Sequence, residues 1–192
     1  MKRISMAVCG LVLLACASIG AQGAWKTLFN GGSIDQAIWT PSGTVNWKVV
    51  GNELWATNGN GFLVTKESFG DHEIRADVWV SPDANSGIFI RCMDAAKVGA
   101  ATCYEVNVYD TRPDQTYRTG GIVDLAKPTA MINSGNKWNT LQITARGPRL
   151  IVRMNGVETV NVEDKKLARG PFALQAGVGV VRFRNVQVRE LR

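Results

Sequence analysis

The sequence predicts an all-β fold, a two-sheet antiparallel sandwich or jelly roll, and three observations carry that expectation. Almost no stretch spaces its apolar residues at helical intervals. Short apolar/polar alternations recur instead, separated by Gly, Asn, Asp and Pro turns. Tight hairpins are marked by Val50-Gly51-Asn52-Glu53, Arg146-Gly147-Pro148-Arg149 and Met154-Asn155-Gly156-Val157, and Asn-Gly is the strongest short hairpin signal.

Residues 1–23 read as an export signal, with Lys2 and Arg3 as the basic region, an apolar core over 6–19 and small residues before Trp25. The apolar run is too short to span a bilayer, and no other segment of the sequence is apolar enough to cross one. Localisation in the periplasm or outside the cell follows. Leu13-Leu14-Ala15-Cys16 weakly resembles a lipoprotein box, so a lipid anchor at Cys16 stands as the alternative. Residues 24–192 then form one domain, long enough to bury a substantial core.

Strands are expected at 47–50, 53–56, 62–65, 72–80, 86–91, 104–109, 138–146, 150–154, 157–162, 172–175 and 181–189. Segments 72–80, 138–145 and 181–188 alternate polar and apolar residues, so each buries one face. This many strands exceeds a simple immunoglobulin-like sandwich and favours the jelly roll. Residues 110–136 are the long exception, rich in Thr, Pro and Gly, with only 121–125 strand-like. A loop that long in a compact domain is more often functional than not.

Cys9 and Cys16 leave with the signal, and Cys92 and Cys103 remain at the inner ends of two expected strands. In an oxidising compartment they read as a disulfide, the alternative being two unconnected small apolar residues. Thiols alone do not make a zinc site, because the chain has a single histidine, His72. Loss of Lys2 and Arg3 takes the formal charge from +6 to +4, and the arginines are dispersed rather than grouped, so nucleic-acid binding is not expected.

The sharpest functional signal is charge inside two strand-like runs, Ser86-Gly87-Ile88-Phe89-Ile90-Arg91 and Tyr104-Glu105-Val106-Asn107-Val108-Tyr109. Period-2 geometry sends Phe89 and Arg91 to one face and puts Glu105, Asn107 and Tyr109 together on theirs. If the strands pair, Arg91 meets Glu105. A face of Arg, Glu, Asn and Tyr offers directional hydrogen bonds to a polyhydroxylated ligand, so the expected partner is a carbohydrate.

Trp25-Lys26-Thr27-Leu28-Phe29-Asn30-Gly31, Asn85-Ser86-Gly87-Ile88-Phe89-Ile90-Arg91, Thr119-Gly120-Gly121-Ile122, Gly170-Pro171-Phe172-Ala173-Leu174-Gln175 and Val181-Arg182-Phe183-Arg184-Asn185-Val186 occur in the order found in 3-keto-disaccharide hydrolase domains, which the chain resembles along all of 24–192. The resemblance implies a concanavalin A-like jelly roll with a sugar site on its concave sheet. It also implies an enzyme that cuts glycosides oxidised at C3, by proton abstraction at C2, elimination and hydration. That chemistry needs one base and an electrophile for the enolate oxygen.

By position, Glu105 fits the base or a metal ligand, Arg91 the adjacent cation and Asp110 a second carboxylate. Asn107, Tyr109 and Gln175 fit as hydroxyl readers, and Trp138 as a stacking platform. The alternative for Arg91 and Glu105 is a structural cross-strand pair. The electrophile is either a cationic side chain or a metal ion, and carboxylates of Glu105, Asp110 and Asp124 could hold calcium or manganese. Many relatives resemble one another in a Gln-Asp-His run where this chain has Gln175-Ala176-Gly177. A lectin-like binder on the same fold is therefore the competing reading, and the place to look for a compensating feature is the long loop, whose ionisable residues include Asp114, Arg118 and Asp124.

Overall fold

Each alternating segment becomes a strand with one face turned inward. The computed structural model describes residues 23–57 and 59–192, so residues 1–22 of the expected export signal, Cys16 included, lie outside the described residues. In chain order the strands are β1 (Lys26–Phe29), β2 (Trp39–Gly43), β3 (Asn46–Val50), β4 (Glu53–Thr57), β5 (Gly61–Thr65), β6 (His72–Val80), β7 (Ser86–Ile90), β8 (Tyr104–Val108), β9 (Trp138–Arg146), β10 (Arg149–Met154), β11 (Val157–Glu163), β12 (Ala173–Ala176) and β13 (Val180–Glu190). An eight-stranded sheet runs β11-β10-β9-β6-β13-β4-β3, with β1 also on β13. A five-stranded sheet runs β2-β5-β12-β7-β8. All pairings between these strands are antiparallel. Among the described residues no helix is long and apolar enough to cross a membrane.

The three hairpins join neighbouring strands as the turn residues predict. In the β10–β11 turn, Asn155 and Gly156 take positive φ, 52° and 81°. Asn-Gly tolerates that conformation and most residues do not. The inner faces meet in a core that includes Ile74, Ala76 and Val78 of β6, Leu141 and Ile143 of β9, and Ile88, Val106 and Leu174 of the smaller sheet. Each of the larger aliphatic side chains contributes about 2 kcal/mol when removed from water. In β13 the phase of burial changes from Val181 and Phe183 to Val186 and Val188. The register shifts between Arg184 and Gln187, and Asn185, at φ 52°, accommodates the extra residue. This is a β-bulge, which flips the facing of every residue after it.

β1 and β2 have no counterpart among the expected strands. β2 contains Pro41, which cannot donate to a ladder, and it forms as an edge strand, where that donor is not needed. Two expected strand ends also retreat. Arg91 lies beyond β7 at φ 50°, and Tyr109 lies beyond β8.

The outer face of the eight-stranded sheet carries a cross-strand row of Trp55, Arg182, Trp79 and Trp138. The Arg182 guanidinium sits between Trp55 and Trp79, at 4.2 and 3.9 Å from the ring centroids, and Arg184 covers Trp138 at 4.0 Å. Glu53 and Asp77 neutralise the two arginines at 3.4 and 3.3 Å.

Candidate functional site: the outer face of the five-stranded sheet

Strand alternation fixes which side chains share the outer face of the smaller sheet. The registers align Ser42, Phe62, Gln175, Gly87 and Asn107 in one row, and Thr40, Val64, Ala173, Phe89 and Glu105 in the next. In the second row, Val64, Ala173 and Phe89 are buried with Cys92 and Cys103, and half-buried Val98 packs against them. The disulfide Cys92–Cys103 forms, and its loop covers that part of the sheet. The first row stays more open, with Phe62 and Gln175 half-buried.

The far wall is built by residues 110–136, the long loop singled out in the sequence. Its backbone extends the sheet. Asn107 N donates to Gly121 O at 3.0 Å, Gly120 N to Asn107 O at 2.9 Å and Val123 N to Glu105 O at 3.0 Å. Asp110 closes the loop by accepting from Thr119 Oγ1 at 2.6 Å, Ser134 N at 2.6 Å, Ser134 Oγ at 2.9 Å and Gly135 N at 3.0 Å. A short 3-10 turn, Gln115–Tyr117, follows Asp114, whose carboxylate caps it through Thr116 N at 2.9 Å. Tyr117 O then accepts from Asn107 Nδ2 at 2.6 Å, docking the turn against β8.

Glu105 lies half-buried at this wall. Burial pushes its carboxyl up to about 7, with the negative charge of Asp124 adding to the rise and the Arg112 guanidinium opposing it; no hydrogen bond takes part. Arg112 is held by Asp114, its Nη1 donating to Asp114 O at 2.9 Å and to Oδ2 at 3.1 Å, and it lies over the Tyr117 ring at 5.7 Å. Its Nε and Nη2 make no hydrogen bond among the described residues.

Gly87 forms a notch between Gln175 and Asn107. A Cβ there would stand 2.7 Å from Val106 O, so only glycine fits without moving the backbone. Gln175 Oε1 and Asn107 Oδ1 flank the notch, buried and without donors among the described residues. Buried acceptors are nearly always paired, and these two call for an incoming hydroxyl or water. A separate cavity of about 660 Å³, lined by Thr40, Ser42, Val64, Lys66, Met93 and Pro171 among others, opens at the opposite end of the face and does not reach Glu105.

The expected site residues do not all converge. Glu105, Asn107 and Gln175 share the face, as the alternation implies. Arg91 does not meet Glu105, because Phe89 is the residue in register with it and the positive φ at Arg91 turns that side chain away. Arg91 is 1% exposed and donates to the carbonyls of Gly70, Gly147 and Leu167 at 3.1, 2.7 and 3.2 Å and to Asp71 Oδ1 at 3.0 Å. Burial pulls its guanidinium below its ordinary value, and Asp71 opposes that. Asp110 is engaged by its own loop, Tyr109 lies past the end of β8, and Trp138 is on the other sheet under Arg184. Three residues of the site, Arg112, Tyr117 and Gly87, are not among those the sequence points to. The first two lie within the loop that its length marks out; no periodicity shows which of its residues turn inward.

The oxygens named for a divalent ion do not form a ligand set. Asp110 is engaged by four protein donors, and among the described residues no three His, Cys, Asp or Glu side chains converge.

These features define a two-sheet jelly roll with a polar site on one sheet's outer face, and solved structures share that architecture. A candidate glycosyl hydrolase from Parabacteroides distasonis superposes with a TM-score of 0.69 at 17% identity, covering 88% of each chain. The carbohydrate binding module CBM66 from Bacillus subtilis gives 0.60 at 20% identity, over 77% of this chain and 92% of that one. A Bacillus licheniformis beta-glucanase gives 0.58 at 13% identity, over 91% and 100%. At these identities the likeness defines the fold. No curated protein matches the sequence. Residues 24–189 match the 3-keto-alpha-glucoside-1,2-lyase-like domain, and the chain belongs to that family.

Proposed function

We propose that the chain is an exported enzyme that cleaves 3-keto-glycosides with Glu105 as the base. The observation that carries this reading is the Glu105 carboxyl, half-buried on a polar sheet face, free of protein donors among the described residues and pushed up to about 7. A base is most effective when its pKa lies near the working pH. Ionised Glu105 takes the proton from C2, whose acidity the neighbouring C3 ketone raises. The electron pair of the broken C–H bond moves to the C3 oxygen, and Arg112, with Nε and Nη2 unengaged, is the cation positioned to receive that negative charge. Return of the electrons expels the glycosidic oxygen from C1, which takes the proton from Glu105. Water then adds across the new C1–C2 double bond, giving net hydrolysis. Gln175 Oε1 and Asn107 Oδ1 accept hydrogen bonds from sugar hydroxyls at the Gly87 notch.

The family membership and the carbohydrate-directed names of similar folds support a sugar ligand. A second reading, a binder without catalysis, is favoured by one observation: Ala176 is buried in the core and a Cβ on Gly177 would lie 2.8 Å from Asn85 O, so nothing ionisable follows Gln175. Product release from 3-keto-trehalose and a 3-keto-glucoside by the mature protein, beside Glu105→Gln, decides between them. Turnover lost in the variant supports the enzyme with Glu105 as base, and turnover kept by it moves the base elsewhere. Saturable sugar binding without turnover by either protein supports the binder.

A further inference from the structure

The two rows on the outer face of the smaller sheet contain two aromatic side chains, and they differ in access. Phe89 is 1% exposed beneath the disulfide loop, whereas Phe62 stays half-buried at the margin of that covered patch. Their rings meet edge to face, with centroids 5.3 Å apart and planes at 85°, so the buried ring fixes the orientation of the accessible one. Register places Phe62 opposite Gln175, and Gln175 opposite Gly87. Phe62 therefore stands two strand spacings, roughly 10 Å, from the notch, on the side away from β8. A Cβ on Gly87 would lie 3.5 Å from Gln175 Oε1, so that unpaired acceptor borders the notch between Gly87 and Phe62.

Two sides of the notch are walled by protein. Residues 110–136 close the β8 side through their bonds to Asn107 and Glu105, and the disulfide loop covers the row of Val64, Ala173 and Phe89. A sugar ring over Gly87, with C2 presented to Glu105, finds the row through Gln175 to Phe62 open along the sheet. We propose, on the reading that cleavage occurs at Glu105, that Phe62 is the platform for the leaving group. The chain then selects 3-keto-glycosides whose leaving group is itself a ring over those that release a small alcohol. The C–H faces of a sugar ring and the flat phenyl ring each remove apolar surface from water when they stack. At roughly 10 Å from the notch, Phe62 is reached by a second ring and not by a one-carbon substituent. Contact made there is remote from the reacting atoms and serves to hold the substrate in register with Glu105.

The test compares kcat/KM for 3-keto-trehalose and for methyl 3-keto-glucoside in the mature protein, Phe62→Ala and Phe62→Trp. The parent is expected to prefer 3-keto-trehalose. Phe62→Ala lowers that preference ratio about tenfold, mainly through KM, and Phe62→Trp restores it. Both substrates meet the same sample, so the ratio is insensitive to any loss of folded protein. Phe62→Leu, which keeps an apolar contact with Phe89 but not the flat ring, gives the same fall if Phe62→Ala does not fold. A ratio left unchanged by Phe62→Ala and Phe62→Leu overturns the proposal. If none of the proteins turns over either substrate, the cleavage reading falls by itself, and calorimetric affinities for the same two compounds decide the platform. Tighter binding of 3-keto-trehalose that is lost in Phe62→Ala upholds it, and equal affinities or no binding overturn it.

Discussion

Replacing Glu105 by glutamine will give a pH dependence to a stability curve that two opposing groups keep nearly level in the parent protein. Glu105 titrates near 4.5 when exposed and about 7 when folded, so the folded state holds its proton more tightly. Its contribution is complete below pH 4.5 and is lost as the pH rises through 7. At 1.36 kcal/mol per pH unit the effect is about 3 kcal/mol. His72 acts in the other direction. Burial holds its ring down to about 4 from 6.5, with Nδ1 facing Gly70 O at 2.8 Å, so its contribution is complete above pH 6.5 and is lost as the pH falls through 4. That is also about 3 kcal/mol. Between pH 6.5 and 4.5 the two nearly cancel. Glu105→Gln leaves His72 unopposed, so the variant will lose about 3 kcal/mol as the pH falls through this window and will exceed the parent by a similar amount at about pH 8. Urea unfolding at intervals of about half a pH unit, with m checked for constancy, measures both curves. Parallel curves for parent and variant would refute the reasoning, because they would mean that Glu105 ionises alike in both states.

Arg112→Gln removes the cation that holds Glu105 down, so the Glu105 titration moves upward when followed by carboxyl NMR, and on the proposed mechanism turnover falls by about 10²-fold. Arg91→Met strips donors from three carbonyls and from Asp71, lowering stability by about 3 kcal/mol in urea unfolding. Reducing the Cys92–Cys103 bond releases a short loop from the unfolded chain and lowers stability by about 3 kcal/mol on the chain-entropy account, measured as a drop in Tm with added reductant. Arg182→Ala removes the guanidinium from between Trp55 and Trp79. Losing both stacked contacts costs about 2 kcal/mol, read from the urea midpoint.

Much of the fold was legible because the determining signals are local. Alternation in 72–80 chooses which side chains face inward regardless of partner, and Asn155-Gly156 fixes a hairpin by backbone preference alone. The same logic put Glu105, Asn107 and Gln175 on one face. It failed at Arg91, where alternation extended one residue too far: the left-handed turn at that position depends on acceptors from residues 70, 71, 147 and 167, which no local pattern reveals. Pro41 hid β2 because proline is acceptable only on an edge, and edge position belongs to the assembled sheet. Arg112 escapes a reading of the sequence for a related reason. Its place beside Glu105 depends on Asp114 and on the docking of Tyr117 to Asn107, contacts made only once the loop has closed.

The stacked tryptophans and arginines of the large sheet also divide the protein's intrinsic fluorescence by location. Trp25, Trp55, Trp79 and Trp138 each have a guanidinium against the indole, while Trp39 and Trp47 are buried between the sheets. None of the six belongs to the rows that contain Glu105 and the Gly87 notch. Indole emission thus monitors the large sheet and the core, and a sugar settling at Glu105 will leave it unchanged; a tryptophan substituted for Phe62 would give that face its own reporter.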